Sequence, residues 1–119
     1  MTTTSGTDLT DEARARIREV TVVEARALFA GGGTVFLDCR EPNEYNLGRI
    51  SGAVCIPRGQ LETNVEAMIA REARVVIYCA SGNRSALAAD TMRQMGYADV
   101  ASLRGGWRDW VMADGPIDE

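Results

Sequence analysis

The sequence predicts an α/β fold, with a small and mostly parallel five-stranded sheet and helices on both of its faces. Short apolar runs with strand character alternate along the chain with short helical patterns, which is the order of elements in a parallel α/β sheet. The run from Arg74 to Tyr78 is apolar after its first residue, as expected for a central strand that is buried on both faces. With 119 residues, the chain is long enough for one compact domain.

The first half of the chain is expected to supply three strands behind an N-terminal leader. Residues 1–17 are predicted to be a flexible leader with a short helix, which Thr10 would N-cap and which carries Asp11 and Glu12 in its first turn. The main domain is expected over residues 18–115. Its first elements are a strand at 20–22, a helix at 24–30 that ends at three glycines, a strand at 34–38, a turn at 42–48 and a strand at 53–56.

The second half of the chain is expected to add two strands and three helices. The predicted elements are a helix at 61–71, a strand at 74–78, a helix at 85–95 that ends at Gly96, a strand at 99–103, and a last helix at 107–112 after the Gly105-Gly106 turn. Gly115 and Pro116 are typical of a chain that leaves a helix, so residues 116–119 are expected to form a tail.

The composition excludes several classes of protein. A net charge of −4 gives no support to a nucleic-acid partner, and no apolar segment is long enough to cross a membrane. The N-terminus lacks the pattern of a signal peptide, so we expect a cytoplasmic location, where the three cysteines would be reduced thiols. Because the chain has neither histidine nor lysine, a histidine base, a Schiff-base lysine and a histidine-containing zinc site are excluded, and no metal or cofactor is expected.

Cys79 is the strongest candidate for a reactive residue. It follows the apolar strand and opens a loop that runs into an alanine-rich helix; the loop residues are Ala80, Ser81, Gly82, Asn83, Arg84 and Ser85. Backbone N–H groups in such a loop, together with the positive end of the helix dipole, favour the thiolate form of the cysteine. Gly82 suits a loop that turns its amides inward with a positive φ angle. The alternative is an inert cysteine buried at the end of a strand.

Three motifs that occur in order make the chain resemble the single-domain rhodaneses, which are sulfurtransferase domains. The motifs are Asp38-Cys39-Arg40 with Glu44 and then Gly48-Arg49-Ile50-Ser51-Gly52-Ala53, the loop from Cys79 to Ser85, and Leu103-Arg104-Gly105-Gly106 with Trp110. The resemblance covers residues 18–115 and implies a rhodanese-like fold. The chain departs from the family pattern at Arg49, where histidine is usual, and at Ala80, where members that use thiosulfate often carry a basic residue.

The resemblance also implies roles for individual residues. Cys79 would carry sulfane sulfur as a persulfide, the outer sulfur would be held by N–H groups of residues 80–85, and no general base would be needed once the thiolate exists. Three residues are expected to support the loop: Asp38 as an anchor of its geometry, and Arg40 and Glu44 as an ion pair, with Arg40 also able to steer an anionic donor.

The sequence leaves the roles of two residues near the site undecided, with two alternatives for each. Arg84 either holds a substrate anion or forms an ion pair with Asp38 or Glu44, because a buried arginine needs a partner. Cys39 is either a buried apolar residue of its strand or a second thiol beside the site.

The leading functional hypothesis is a sulfurtransferase that takes sulfur from thiosulfate or a persulfide and passes it to a thiol, cyanide or a protein acceptor. Its partners would be a small sulfur donor or acceptor, or a partner protein. Because Ala80 leaves the loop without a cation at its second position, thiosulfate is expected to be the poorer donor. The alternatives are a cysteine phosphatase or arsenate reductase of related architecture, whose loops have five rather than four residues between cysteine and arginine, and a non-catalytic rhodanese-like binding module.

Overall fold

The computed structural model describes residues 5–119, and these form a parallel five-stranded sheet with helices on both faces, as the sequence predicts. The helices are α1 (Gly6–Arg16), α2 (Val22–Gly31), α3 (Pro42–Leu47), α4 (Leu61–Met68), α5 (Asn83–Gln94) and α6 (Gly106–Met112). The strands are β1 (Arg18–Val20), β2 (Thr34–Asp38), β3 (Arg49–Ile50), β4 (Val54–Cys55), β5 (Arg74–Tyr78), β6 (Val100–Leu103) and β7 (Ile117–Asp118). In this part of the chain, no helix is long and apolar enough to span a bilayer.

The strand order β1-β6-β5-β2-β4 places the most apolar strand, β5, at the centre. Neighbouring strands of this sheet are parallel, and β5 pairs with β2 so that Asp38 stands opposite Tyr78. The carboxyl ends of β2 and β5 therefore meet at one edge of the sheet, which is where parallel α/β sheets place their ligand chemistry. Cys79 follows β5 at this edge, and Cys39 follows β2.

Two hydrophobic cores lie on opposite faces of the sheet, because successive side chains of a strand alternate between the faces. The core that α4 and α5 cover includes Leu37, Cys39, Leu61, Val65, Ile77, Cys79, Ala88, Ala89 and Met92. The core that α2 and α6 cover includes Ala25, Phe36, Val76, Tyr78 and Trp110. In the second core, the rings of Phe29, Phe36 and Trp110 contact one another with centroid separations of 5.7–5.8 Å, and such pairs add roughly 0.5–1.5 kcal/mol each beyond burial.

Capping residues place the first two helices earlier than the sequence analysis does. Helix α1 is N-capped by Ser5, whose hydroxyl accepts a hydrogen bond from the Asp8 N–H at 3.0 Å, so the helix begins at Gly6 and not after Thr10. Residues 1–4 of the expected leader lie outside the described residues. Thr21 is an N-cap and not a strand residue, because its hydroxyl accepts from the Glu24 N–H while the Glu24 carboxylate accepts from the Thr21 N–H. This capping box outweighs the strand preference of the β-branched residues around it.

Within the expected tail at 116–119, residues Ile117–Asp118 form strand β7. Strand β7 pairs antiparallel with β3, and the Asp118 carboxylate accepts hydrogen bonds from the Ser51 hydroxyl and the Gly52 N–H, both at 2.9 Å. The Trp110 indole N–H donates to the Pro116 carbonyl at 2.9 Å. These partners are distant in the sequence, so the local pattern around Pro116 does not reveal them.

Candidate active site

The Cys79 sulfur lies at the centre of the loop between β5 and α5. Its Sγ atom accepts hydrogen bonds from the N–H of Gly82 at 3.0 Å and of Ser85 at 3.4 Å. The Ser85 Oγ lies 3.5 Å from the same sulfur and 2.8 Å from the Ser102 Oγ. The Cys79 side chain is almost fully enclosed, with 1% of the residue exposed. The loop therefore surrounds the sulfur with donors and leaves only a narrow approach to it.

Glycines fix the backbone of this loop at two points. Gly82 has a φ angle of +109° and is the N-cap of α5, which is the left-handed conformation that turns its N–H toward the sulfur. Gly106 lies against the Cys79 carbonyl so closely that a Cβ atom at this position would collide with it. The next residue, Trp107, donates its N–H to the same carbonyl at 2.8 Å. The Gly105-Gly106 turn therefore holds the backbone of Cys79 from the β6–α6 side.

These surroundings lower the pKa of Cys79 to about 4. The largest cause is the neighbouring Cys39 thiol acting as a hydrogen-bond donor, and the Ser85 hydroxyl and the N–H groups of Ser85 and Gly82 act in the same direction against the opposing effect of burial. The hydrogen bond to the Cys79 sulfur, followed by burial, raises the pKa of Cys39. At neutral pH, Cys79 is therefore a thiolate beside a protonated Cys39, and the thiolate is the nucleophilic form.

Cys39 is a second thiol beside Cys79, which was one of the two roles open from the sequence. Both cysteines are buried in the core under α4 and α5, and both are free thiols. Their proximity follows from the strand register: Asp38 stands opposite Tyr78, and the Cys39 N–H continues the ladder by donating to the Tyr78 carbonyl at 3.0 Å. The other role, that of a buried residue, holds as well, because Cys39 has 0% of its surface exposed.

Arg40 pairs with Asp38, which corrects the expected Arg40–Glu44 ion pair. The buried Asp38 carboxylate accepts from the Arg40 backbone N–H at 2.9 Å and from its guanidinium at 2.7–3.1 Å. The guanidinium also donates to the Gly48 carbonyl at 2.7 Å and lies 4.8 Å from the Trp107 ring. Arg40 is 3% exposed, so its charge does not face an incoming donor, and it fixes the ends of β2 and α3 instead.

Glu44 pairs with Arg84, which is one of the two partners that the sequence leaves open for this arginine. The guanidinium lies 3.3 Å from the carboxylate, and both side chains are about one third exposed. Burial acts to raise the pKa of Glu44, but the hydrogen bond from the Glu41 N–H and the contact with Arg84 hold it below its ordinary value. Burial acts to lower the pKa of Arg84, but the hydrogen bond and the charge of Glu44, followed by the charge of the Cys79 thiolate, raise it.

The remaining loop residues do not complete the ring of donors around the Cys79 sulfur. Within residues 5–119, the backbone N–H groups that donate to this sulfur are those of Gly82 and Ser85, and none of the N–H groups of Ala80, Ser81, Asn83 or Arg84 does so. The Asn83 side chain points to the N-terminal helix, where its Oδ1 accepts from Arg14 at 2.6 Å.

Sequence reasoning missed two residues that contact this loop, Arg14 and Ser102. Nothing local marks them, because they are distant from the loop in the sequence. In the described part of the chain, no group of three or more metal-ligating side chains comes together.

The comparisons with known proteins agree with this fold. The model of the rhodanese-like domain family matches residues 21–113 of the 119, so the chain belongs to this family. The matched segment contains Cys79, its loop, and the Asp38–Arg40 and Glu44–Arg84 pairs. Helix α1 lies outside it.

Individual relatives cover most of the chain. The thiosulfate sulfurtransferase GlpE of Pseudomonas paraeruginosa is 38% identical over 73% of this chain and 77% of its own length. The thiosulfate:glutathione sulfurtransferase of Homo sapiens is 28% identical over 77% of this chain and 91% of its own. A solved structure from Rhodopseudomonas palustris, named "Protein of Unknown Function RPA3614, Possible Tyrosine Phosphatase", superimposes with a TM-score of 0.88 at 35% identity and covers 99% of this chain and 97% of its own. Three relatives from Schizosaccharomyces pombe and Bacillus subtilis are longer, and the chain spans 40–63% of their lengths.

Proposed function

We propose that this chain is a rhodanese-type sulfurtransferase in which Cys79 carries the transferred sulfur. The observation that supports this most is the Cys79 sulfur held by the N–H groups of Gly82 and Ser85 at the start of α5. This arrangement stabilises a negative charge on sulfur without a proton-transferring residue, as sulfane transfer requires. The thiosulfate sulfurtransferase names of two relatives point to the same chemistry.

In the first step, the Cys79 thiolate attacks the outer sulfur of the donor. With thiosulfate, a bond forms between Cys79 Sγ and the sulfane sulfur, the sulfur–sulfur bond of thiosulfate breaks, and sulfite leaves with the electron pair. The charge then lies on the outer sulfur of the persulfide. The helix N-terminus and the amides of residues 80–85 are the donors available to stabilise it there.

In the second step, a nucleophilic acceptor attacks the outer sulfur of the persulfide. A thiol, cyanide or the thiol of a partner protein forms the new bond to sulfur, and Cys79 leaves as the thiolate. The low pKa of Cys79 makes it a good leaving group, so the same hydrogen bonds serve both steps. We include a cytoplasmic setting in the proposal, since all three cysteines are free thiols and a reducing compartment would keep them so.

Arg84 is the arginine best placed to meet an anionic donor. Arg40 is enclosed with Asp38, Arg58 binds Glu62 and Thr91, and Arg49 lies over the Tyr45 ring. Since Arg84 is already paired with Glu44, little free positive charge faces thiosulfate, and a persulfide is the better donor in this proposal.

Phosphatase activity is a second candidate, because a relative of known structure carries that description. Two features favour sulfur transfer over it. The loop has four residues between Cys79 and Arg84, which makes a smaller ring, better suited to one sulfur atom than to a phosphate. The Arg84 guanidinium bonds to Glu44, whereas a phosphatase would need it for the phosphate oxygens. A binding module without activity would have no need of a thiolate with a pKa of about 4.

Mass spectrometry of the protein after incubation with thiosulfate or cysteine persulfide tests the proposal. We expect one added sulfur, which cyanide removes as thiocyanate, and we expect Cys79→Ser to take up none. Cys55→Ser is the matched control, because Cys55 lies on β4 and has no contact with the Cys79 sulfur. Sulfur that maps to another cysteine, or hydrolysis of p-nitrophenyl phosphate without sulfur uptake, would contradict the proposal.

A further inference from the structure

The Cys39 thiol donates a hydrogen bond to Cys79 in the proposed sulfur transfer, but that transfer does not use it as a nucleophile. One step beyond the Asp38–Tyr78 pair, the strand register brings Cys39 opposite Cys79. Opposed residues of adjacent strands lie about 4.8 Å apart, which is within the roughly 4.4–6.8 Å that separates the Cα atoms of a disulfide. Both side chains point to the same face, since both belong to the core under α4 and α5. The backbone can therefore accept a Cys39–Cys79 disulfide without rearrangement of the strands.

We propose that Cys39 is the resolving thiol of this site, and that it displaces sulfide from the Cys79 persulfide to leave a Cys39–Cys79 disulfide. The proposal rests on the proposed function, because the persulfide is its starting point. The Cys39 sulfur bonds to the Cys79 Sγ, and the bond between that Sγ and the outer sulfur breaks. The outer sulfur leaves with the electron pair and takes up the Cys39 proton, so that it departs as the hydrosulfide ion. The outer sulfur is reduced and the two cysteines are oxidised, so no external oxidant is needed.

The charge distribution makes this step conditional on the persulfide. While Cys79 is a thiolate, its charge and its hydrogen bond keep Cys39 protonated and unreactive. In the persulfide, the negative charge sits on the outer sulfur and the Sγ atom is neutral, so the main restraint on Cys39 is relaxed. Burial of Cys39 still disfavours its thiolate, which makes the step slow compared with transfer to an external acceptor.

The consequence is a second outcome for the bound sulfur. With an acceptor present, the sulfur is transferred. Without one, it is released as hydrosulfide and the Cys39–Cys79 disulfide persists. When a low-molecular-weight thiol later reaches the protein, two molecules of it reduce the disulfide through thiol–disulfide exchange. The net reaction is the reduction of sulfane sulfur by thiols. A cysteine at position 39 allows the chain to release the sulfur as hydrosulfide without an external acceptor.

The test follows the fate of the persulfide after excess donor has been removed. Wild-type protein, Cys39→Ser, Cys39→Ala and the control Cys55→Ser are loaded with cysteine persulfide, desalted and kept without an acceptor. Hydrosulfide is measured with time, and peptides are mapped under non-reducing conditions. For the wild-type and Cys55→Ser proteins we expect hydrosulfide release that matches the appearance of the Cys39–Cys79 disulfide, at a rate independent of protein concentration.

Both Cys39 variants should keep the persulfide on the order of tenfold longer or more, because the intramolecular nucleophile is gone. If wild-type protein keeps its persulfide as long as both variants do, or forms no Cys39–Cys79 peptide, Cys39 is not a resolving thiol, although Cys79 remains a sulfur carrier. If no protein takes up sulfur on Cys79, the proposed function itself fails and the resolving step fails with it.

Discussion

The two faces of the sheet differ in the polar groups that they bury at the ends of β2 and β5. On the face under α2 and α6, Asp38 and Tyr78 meet Arg40, and the carboxylate and guanidinium compensate each other's charge within a closed network. On the opposite face, the next residues of both strands, Cys39 and Cys79, place two sulfurs side by side, and one of them carries an uncompensated negative charge. A shift of one residue along the chain, from 38 to 39 and from 78 to 79, therefore separates a fixed ion pair from a reactive group.

The comparison shows that the same chemical requirement is met in two ways. Asp38 is stabilised by a full opposite charge, which fixes the backbone around β2 and leaves the carboxylate unreactive. The Cys79 thiolate is stabilised by N–H, O–H and S–H dipoles, which lower its pKa but leave it free to form a bond. Arg40 thus stabilises the structure around Asp38, while the dipoles around Cys79 keep its thiolate reactive.

The largest expected effect is the loss of stability when the ion pair is broken. Asp38→Ala leaves the Arg40 guanidinium buried without its partner, so the free energy of unfolding should fall by about 3–5 kcal/mol. Cys39→Ala, at the adjacent position on the other face, should cost roughly 1 kcal/mol. Urea denaturation followed by circular dichroism measures both. Equal losses of unfolding free energy in the two variants would mean that the buried ion pair contributes no more to stability than the thiol on the other face.

The next effect concerns the pH dependence of Cys79. Because its pKa is lowered to about 4, the thiolate persists at every pH above that value and is lost only as the pH falls through it. The rate of alkylation by iodoacetamide should therefore stay nearly constant from about pH 8 to pH 6, whereas an ordinary cysteine with a pKa near 8.5 loses its thiolate over this range.

Ser85→Ala sharpens the same measurement, since it removes the Ser85 hydroxyl, which lowers the pKa of Cys79, and leaves the backbone N–H in place. The midpoint of alkylation should rise by about one pH unit. Ser81→Ala is the matched control, because Ser81 is exposed and makes no hydrogen bond to the Cys79 sulfur. If the two variants have the same midpoint, the Ser85 hydroxyl does not contribute to the low pKa of Cys79.

The smallest expected effect concerns thiosulfate as a donor, because few unpaired cations lie on the face of the sheet that carries Cys39 and Cys79. Ala80→Arg places a charge in the loop that Arg40 cannot supply, so kcat/KM for thiosulfate should rise by several-fold at low salt and less at high salt. A donor of lower charge, such as cysteine persulfide, should respond less, and it serves as the control. If wild-type protein already uses thiosulfate as well as the variant does, Arg84 supplies the charge in spite of Glu44.

The sequence predicts the parts of the molecule that depend on local pattern. The α/β fold, the central strand β5 and the Cys79 loop before α5 all follow from apolar runs, glycines and motif spacing in neighbouring residues. The N-cap positions were also present in the pattern, since Ser5 and Thr21 each stand three residues before an acidic residue. They were missed because Thr10 and the β-branched run at 20–22 gave competing signals.

The sequence does not predict contacts that depend on how distant elements meet. Arg40 and Glu44 are separated by one helical turn, which favours an ion pair between them, yet the fold gives Arg40 to Asp38 and Glu44 to Arg84. The proximity of Cys39 and Cys79 depends on the register of β2 against β5. Once that register is known, the neighbouring thiols follow directly from two strands that end at the same level.

The near-complete burial of Cys79 also makes the site select its reactants by size. With 1% of the residue exposed, the sulfur can be reached only by a small or slender molecule. The outer sulfur of thiosulfate or of a persulfide stands at such a tip, and cyanide is small enough to reach the outer sulfur of the bound persulfide. The sulfurs in the middle of a disulfide between two bulky thiols do not. A strongly nucleophilic thiolate is thereby kept from mixed disulfides that would consume it at an open surface.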